Sequence, residues 1–79
     1  MQKLFVDIIV KMTKEGVVLP IKILWEDGRV FEIDKIVNIR RAVSIRSGGY
    51  GIRYLCIVKN RRIFLFLEDN KWFLERAAY

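Results

Sequence analysis

The sequence has no histidine, one cysteine and one proline in 79 residues. Without histidine, and with Cys56 alone, a cysteine/histidine zinc site cannot be assembled. A Ser-His-Asp or Cys-His nucleophile is excluded for the same reason. One thiol closes no internal disulfide, so a reducing compartment is the expectation. Long hydrophobic runs are also missing. Leu4 to Val10 is apolar, but Asp7 interrupts it and Lys11 ends it. That is too short and too charged to span a membrane, and no small-residue cleavage site follows. The expectation is a soluble cytoplasmic chain with no membrane partner. Neither a G-x-x-x-x-G-K-[ST] loop nor a G-x-G-x-x-G turn between strand and helix is present. The acids fall in turns (Glu15, Glu26, Asp27, Glu68, Asp69) or on outward strand positions, and their spacing selects no pair for acid–base work. The residues point away from an enzyme: no catalytic residue, no metal, no cofactor.

What is present is a globular composition, 53% apolar and 30% charged, too apolar for a disordered chain. Residues 1–79 make one domain, whose small size leaves a thin stability margin. The net charge is +6, and it is unevenly placed. Lys35, Arg40, Arg41, Arg46, Arg53, Lys59, Arg61 and Arg62 fall between Lys35 and Leu67, a window without a single acid. The flanks hold all nine acids. Such asymmetry points to a polyanionic partner, nucleic acid or an acidic protein. The same block also fits a solvated surface whose charges neighbour the acids in space.

Alternation at the period of a strand dominates the chain. Leu4, Val6, Ile8 and Val10 alternate through a first strand. Thr13-Lys14-Glu15-Gly16 reads as a turn, and Val18 to Glu26 as a second strand, with Pro20 suited to an edge or early position. Around Asp27-Gly28, a two-residue loop would set Ile23 against Glu32. A three-residue loop sets Ile23 against Phe31, Ile21 against Ile33 and Lys22 against Glu32. The hydrophobic pattern therefore favours the second, with Gly28 left-handed in a bulge and Trp25 in the core of its hairpin. The same logic pairs Ile8 with Ile21, Val6 with Ile23 and Asp7 with Lys22. Asp34 to Arg46 fits a strand through Val37, Ile39, Val43 and Ile45. A helix face through Ile36, Ile39, Arg40 and Val43 fits about as well. Dense β-branching favours a long, bent strand continuing the third.

Three further strands follow: Tyr50 to Lys59, Arg62 to Glu68 and Lys71 to Arg76. Turns at Asn60-Arg61 and Asp69-Asn70 join them. Pairing Val58 with Ile63 sets Cys56 against Leu65, Tyr54 against Leu67 and, on the other face, Arg53 against Glu68. The last hairpin adds Leu67–Trp72 and Leu65–Leu74. Cys56 then lies on the core face, as an inert structural thiol. Leu55, Ile57, Phe64, Phe66 and Phe73 share the opposite face. A sheet apolar on both sides needs two covers. A homodimer across those five residues is one expectation, and a barrel that wraps tightly over itself is the other.

The stretch "SGGYGIRYL" from Ser47 to Leu55 invites comparison with the RNA-recognition strand, K/R-G-F/Y-G/A-F-V-x-F/Y. Only Gly49, Tyr50 and Gly51 match, and the chain lacks the helices of that fold. Ser47-Gly48-Gly49 reads instead as a loop entering a strand, with Gly51 at a bulge or close backbone approach. Small barrels nevertheless bind single strands through a basic groove and aromatic stacking. Arg40, Arg41, Arg46 and Tyr50 flank the glycine loop, and Lys59, Arg61 and Arg62 form the next hairpin. If both loops lie at one end, they grip phosphates on either side of Tyr50. These seven are the candidate nucleic-acid residues.

The run "LPIKILWEDGRVFEIDKI", with Pro20, Trp25, Asp27-Gly28-Arg29, Phe31 and Ile33, resembles a pattern found in small bacterial proteins of unknown function. "GIRYLCIV" and "IFLFLEDNKWFLER" extend the likeness from Leu19 to Arg76. The resemblance implies an all-β fold, a small SH3-like barrel of five or six mostly antiparallel strands. That family has no assigned reaction, so the resemblance implies no functional residue.

Overall fold

The computed structural model describes residues 2–43 and 50–76. They form seven strands and, among the described residues, no helix: β1 (Gln2–Met12), β2 (Val18–Leu24), β3 (Val30–Glu32), β4 (Lys35–Val43), β5 (Tyr50–Val58), β6 (Arg61–Glu68) and β7 (Lys71–Arg76). All pairings are antiparallel. The order is β3-β2-β1-β7-β6-β5-β4, a curled sheet that makes a half-barrel.

Seven strands replace the expected five or six because the long bent strand is broken. Ile33 N–H donates to Ile21 O of β2, whereas the next N–H, that of Asp34, donates to Ile57 O of β5 (both 2.9 Å). Consecutive residues thus change partner from one edge of the sheet to the other. β3 and β4 therefore sit at opposite edges, and the Ile33-Asp34 step sews those edges together. β1 changes partner too. Gln2–Val6 pairs with β7, and Asp7–Met12 pairs with β2.

Both early turns follow their chemistry. Trp25 N–H donates to Arg29 O (2.8 Å) and Gly28 N–H to Trp25 O (3.0 Å). This closes the three-residue loop, with Gly28 at φ 90°. Lys22–Glu32 and Ile23–Phe31 then face each other as the hydrophobic pattern requires. The Asp27 carboxylate accepts the Arg29 N–H (3.0 Å) and Nε (2.6 Å). The backbone bond, chiefly, holds its pKa below the usual value. Thr13 closes the first turn in the same way, with Gly16 at φ 89°.

Two registers differ from expectation by two residues. Ile8 faces Ile23 rather than Ile21, and Asp7 faces Leu24 rather than Lys22. The pairing then jumps from Ile9–Lys22 to Val10–Pro20, so the extra residue, Ile21, bulges out of β2. Pro20, buried beside this bulge, needs no ladder N–H there. In the β5–β6 hairpin, Cys56 faces Ile63 and Tyr54 faces Leu65. The turn is Lys59-Asn60, not Asn60-Arg61. Both turn residues have positive φ, 49° and 62°, as a two-residue hairpin loop demands. The Asp69-Asn70 turn (φ 52° and 61°) and the Leu67–Trp72 and Leu65–Leu74 pairs agree with the sequence.

The core lies on the concave side, where Ile23, Tyr54, Cys56, Val58 and Leu65 are buried. Tyr54 and Trp72 rings pack at 5.2 Å. The Tyr54 hydroxyl donates to Val18 O (2.6 Å), tying β2 across the core. Trp25 meets Phe31 edge-on at 6.3 Å and packs against the same cluster. Gly51 is a close approach and not a bulge. A Cβ there would lie 3.0 Å from the Leu67 backbone oxygen.

Cys56 is fully buried, and desolvation pushes its thiol up to about 11. Native protein is therefore expected to resist alkylation at pH 8, while denatured protein reacts within minutes; mass spectrometry after an iodoacetamide pulse reads both. The unfolded thiol loses its proton first as pH rises. Stability should therefore fall between about 9 and about 11 and be insensitive to this group below that window.

Candidate nucleic-acid interface

Alternation fixes two faces for the five-stranded part of the sheet, β4-β5-β6-β7-β1, and the registers align their residues in rows. On the convex face one row crosses all five strands. Arg40 faces Arg53, Arg53 faces Phe66, Phe66 faces Phe73, and Phe73 faces Phe5. At about 4.8 Å per strand the row is roughly 19 Å long. Beside it run Asn38, Leu55 and Phe64, then Lys35, Ile57 and Arg62.

The aromatic half is tightly built. Phe66 and Phe73 stack at 5.2 Å, with planes 8° apart, and Phe5 leans on Phe73 at 5.7 Å. Lys3 Nζ lies 4.6 Å from the Phe73 centroid and 3.8 Å from a Glu68 carboxylate oxygen. Phe73 is consequently only 2% exposed, while Phe5 and Phe64 are 63% and 45% exposed. Arg53 lies over the Phe64 ring, Cζ 4.9 Å from its centroid. A cation stacked on an aromatic keeps its planar fork fixed. The face thus presents guanidinium groups on β4, β5 and β6 beside accessible aromatic rings.

The structure redistributes the candidate residues. Arg40 and Arg62 are exposed on this convex face. Arg41 faces Ile52 and so belongs to the opposite side of β4. Arg61 faces Val58, also on the concave side. Lys59 sits in the hairpin turn, donates its N–H to Asp34 Oδ2 (3.2 Å), and holds Nζ 5.2 Å from the Phe31 centroid. Tyr50 opens β5, opposite Val43. Arg46 lies outside the described residues.

The expected grip from two loops at one end does not form. Tyr50 starts β5, and the Lys59-Asn60 turn follows its far end, nine residues on, about 30 Å away. Antiparallel pairing puts successive connections at opposite ends of their shared strand. What converges instead is one sheet face. The five residues expected at a dimer contact, Leu55, Ile57, Phe64, Phe66 and Phe73, lie on the same face as Arg40 and Arg62. Of these, Phe73 is already covered by its own chain.

The sequence reading places Arg53 on this face but leaves it out of the seven nucleic-acid candidates, and it places neither Phe5 nor Lys3 there. The expected Asn60-Arg61 turn sets Arg53 opposite Glu68, whereas the observed Lys59-Asn60 turn, one residue earlier, sets it opposite Phe66. The available signal was Asn60, a residue that tolerates left-handed backbone. It pointed to this turn but not to which neighbour shares it. Phe5 and Lys3 depend on the β1–β7 pairing, which joins the two ends of the chain and leaves no local trace. No family model matches this chain, and neither a curated protein nor a solved structure is detectably similar to it.

Proposed function

We propose that this protein is an SH3-like barrel that binds single-stranded nucleic acid on the convex face of its sheet. The Arg40–Arg53–Phe66–Phe73–Phe5 row carries the reading. Arg40, Arg53 and Arg62 contact phosphates, and Phe64 and Phe5 stack on bases. The acid-free block supplies the charge, and the exposed rings supply sequence-tolerant stacking. Single strands suit this face better than duplex, because a duplex hides the π-faces of its bases. The likeness to small bacterial proteins supports the barrel and adds no activity.

Fluorescence anisotropy with labelled single-stranded and duplex oligonucleotides tests the reading. Binding to single strands should fall linearly in log–log with salt. A slope near −2 is expected if about three phosphates are neutralised, at about −0.7 each. Phe64→Ala should weaken single-strand binding about tenfold, as loss of one stacked base would, at about 1–3 kcal/mol. Absence of binding at low salt would sink the proposal and make an acidic protein the partner to seek.

A further inference from the structure

Among the described residues β4 has a neighbour on one side only. It ends the sheet and pairs with β5 alone, and no other strand runs along it. None of the turn and loop backbone hydrogen bonds among the described residues involves Lys35–Val43. Val37, Asn38, Ile39, Arg40 and Arg41 are all exposed. Val37 is the extra residue of a bulge, since Ile36 faces Cys56 and Asn38 faces Leu55. Past it, residues 38–43 pair regularly with β5 over about 20 Å. Alternate residues of such an edge turn their N–H and C=O groups away from the sheet. The opposite edge strand, β3, is only three residues long.

Hydrogen-bond type and charge decide what can add to this edge. Phosphates only accept hydrogen bonds, so a phosphate backbone leaves the outward C=O groups of β4 unpaired. An extended polypeptide supplies donors and acceptors in register. A second β4 brings Lys35, Arg40 and Arg41 with no acid, so no register gives those cations a complement. An acidic strand does. Arg40 and Arg41 form no ion pair among the described residues, and they stand on opposite faces of the strand. Ile39 shares the concave face with Arg41, as their partners Tyr54 and Ile52 show, yet stays 43% exposed. An antiparallel strand meets Arg41, Arg40 and Ile39 with three successive residues. Two acids followed by an aliphatic residue place a carboxylate on each face and cover Ile39.

We infer that β4 takes an acidic segment of another protein as an eighth strand, antiparallel along residues 38–43, with an acid-acid-aliphatic run against Arg41, Arg40 and Ile39. Cations along an edge exclude a like strand and admit one of opposite charge. Arg40 is shared with the convex row proposed for nucleic acid. Arg41 and the outward backbone of β4 belong to this edge alone, so the two readings stand or fall separately.

Fluorescence anisotropy with the labelled peptide Ser-Val-Thr-Glu-Glu-Val-Thr-Ser tests the inference. The wild type should bind it, and should not bind the same peptide with both glutamates replaced by lysine. Arg41→Glu should weaken binding about tenfold or more, because it turns an opposed pair into a like-charged one. Arg53→Glu, which removes the same charge from β5, should leave peptide binding unchanged while weakening single-strand binding. Backbone N-methylation of one glutamate should abolish peptide binding and that of the other should spare it, since only alternate N–H groups point at the edge. No binding at millimolar peptide would overturn the inference. So would equal losses for Arg41→Glu and Arg53→Glu, which would make net charge the attraction. Equal effects of the two methylations would overturn it as well, by removing the strand pairing. If Arg41→Glu fails to fold by circular dichroism, the methylated peptides decide alone.

Discussion

Replacing Arg40 and Arg53 together by Glu should weaken single-strand binding on the order of 100-fold at low salt, leaving the thermal transition nearly unchanged. The two arginines face each other on β4 and β5 and form the cationic end of the convex row. A hydrogen bond to a charged group contributes about 1.5–3 kcal/mol, and two of the weaker kind give about 3 kcal/mol, or two decades. The salt slope should flatten by about 1.4, at about 0.7 per phosphate lost. The fold should survive, because Arg40 is exposed and no ion pair among the described residues depends on either side chain. Arg41→Glu is the matched control. It changes the same charge one residue away but on the other face of β4, and should reduce affinity much less. Equal losses for Arg40→Glu and Arg41→Glu would mean that net charge binds the strand, and the convex face does not.

Leu65→Ala should be the most damaging single truncation. Leu65 has no exposed surface. It lies mid-strand in β6 between Tyr54 on β5 and Leu74 on β7, so rigid strands flank the space it leaves. Such a truncation costs about 2–5 kcal/mol, against a total stability of roughly 4–12 kcal/mol for a chain of this size. The melting temperature should fall by about 10–30 °C, measured by calorimetry or by circular dichroism. Phe64→Ala, its neighbour, removes a larger side chain from the exposed face and should lower the melting point far less. The prediction fails if the two substitutions are equally destabilising. The pair also separates roles, since Phe64 is expected to matter for binding and Leu65 for folding.

That contrast rests on alternation, the feature most legible in the sequence. The period of two assigned Tyr54, Cys56 and Leu65 to one face and Leu55, Phe64, Phe66 and Phe73 to the other. This survived the misplaced β5–β6 turn because a two-residue slip preserves the face of every side chain. The loop at Glu26-Asp27-Gly28 was legible for a different reason. Only one loop length kept acids off the core side, and a glycine stood where left-handed backbone was needed.

The sequence by itself therefore determined an all-β chain, its two faces and its chemistry of cations and aromatics without histidine or paired thiols. Tertiary structure alone decided which residues stand opposite one another. Rows across a sheet depend on turn closure and on pairings between distant segments, such as Phe5 with Phe73, that no local pattern encodes. It also decided that Tyr50 and the Lys59-Asn60 turn lie apart. An antiparallel strand must place the connections before and after it at opposite ends. The basic block is thus spread across the strands, with Arg40, Arg53 and Arg62 on one sheet face, and is not gathered in two loops at one end.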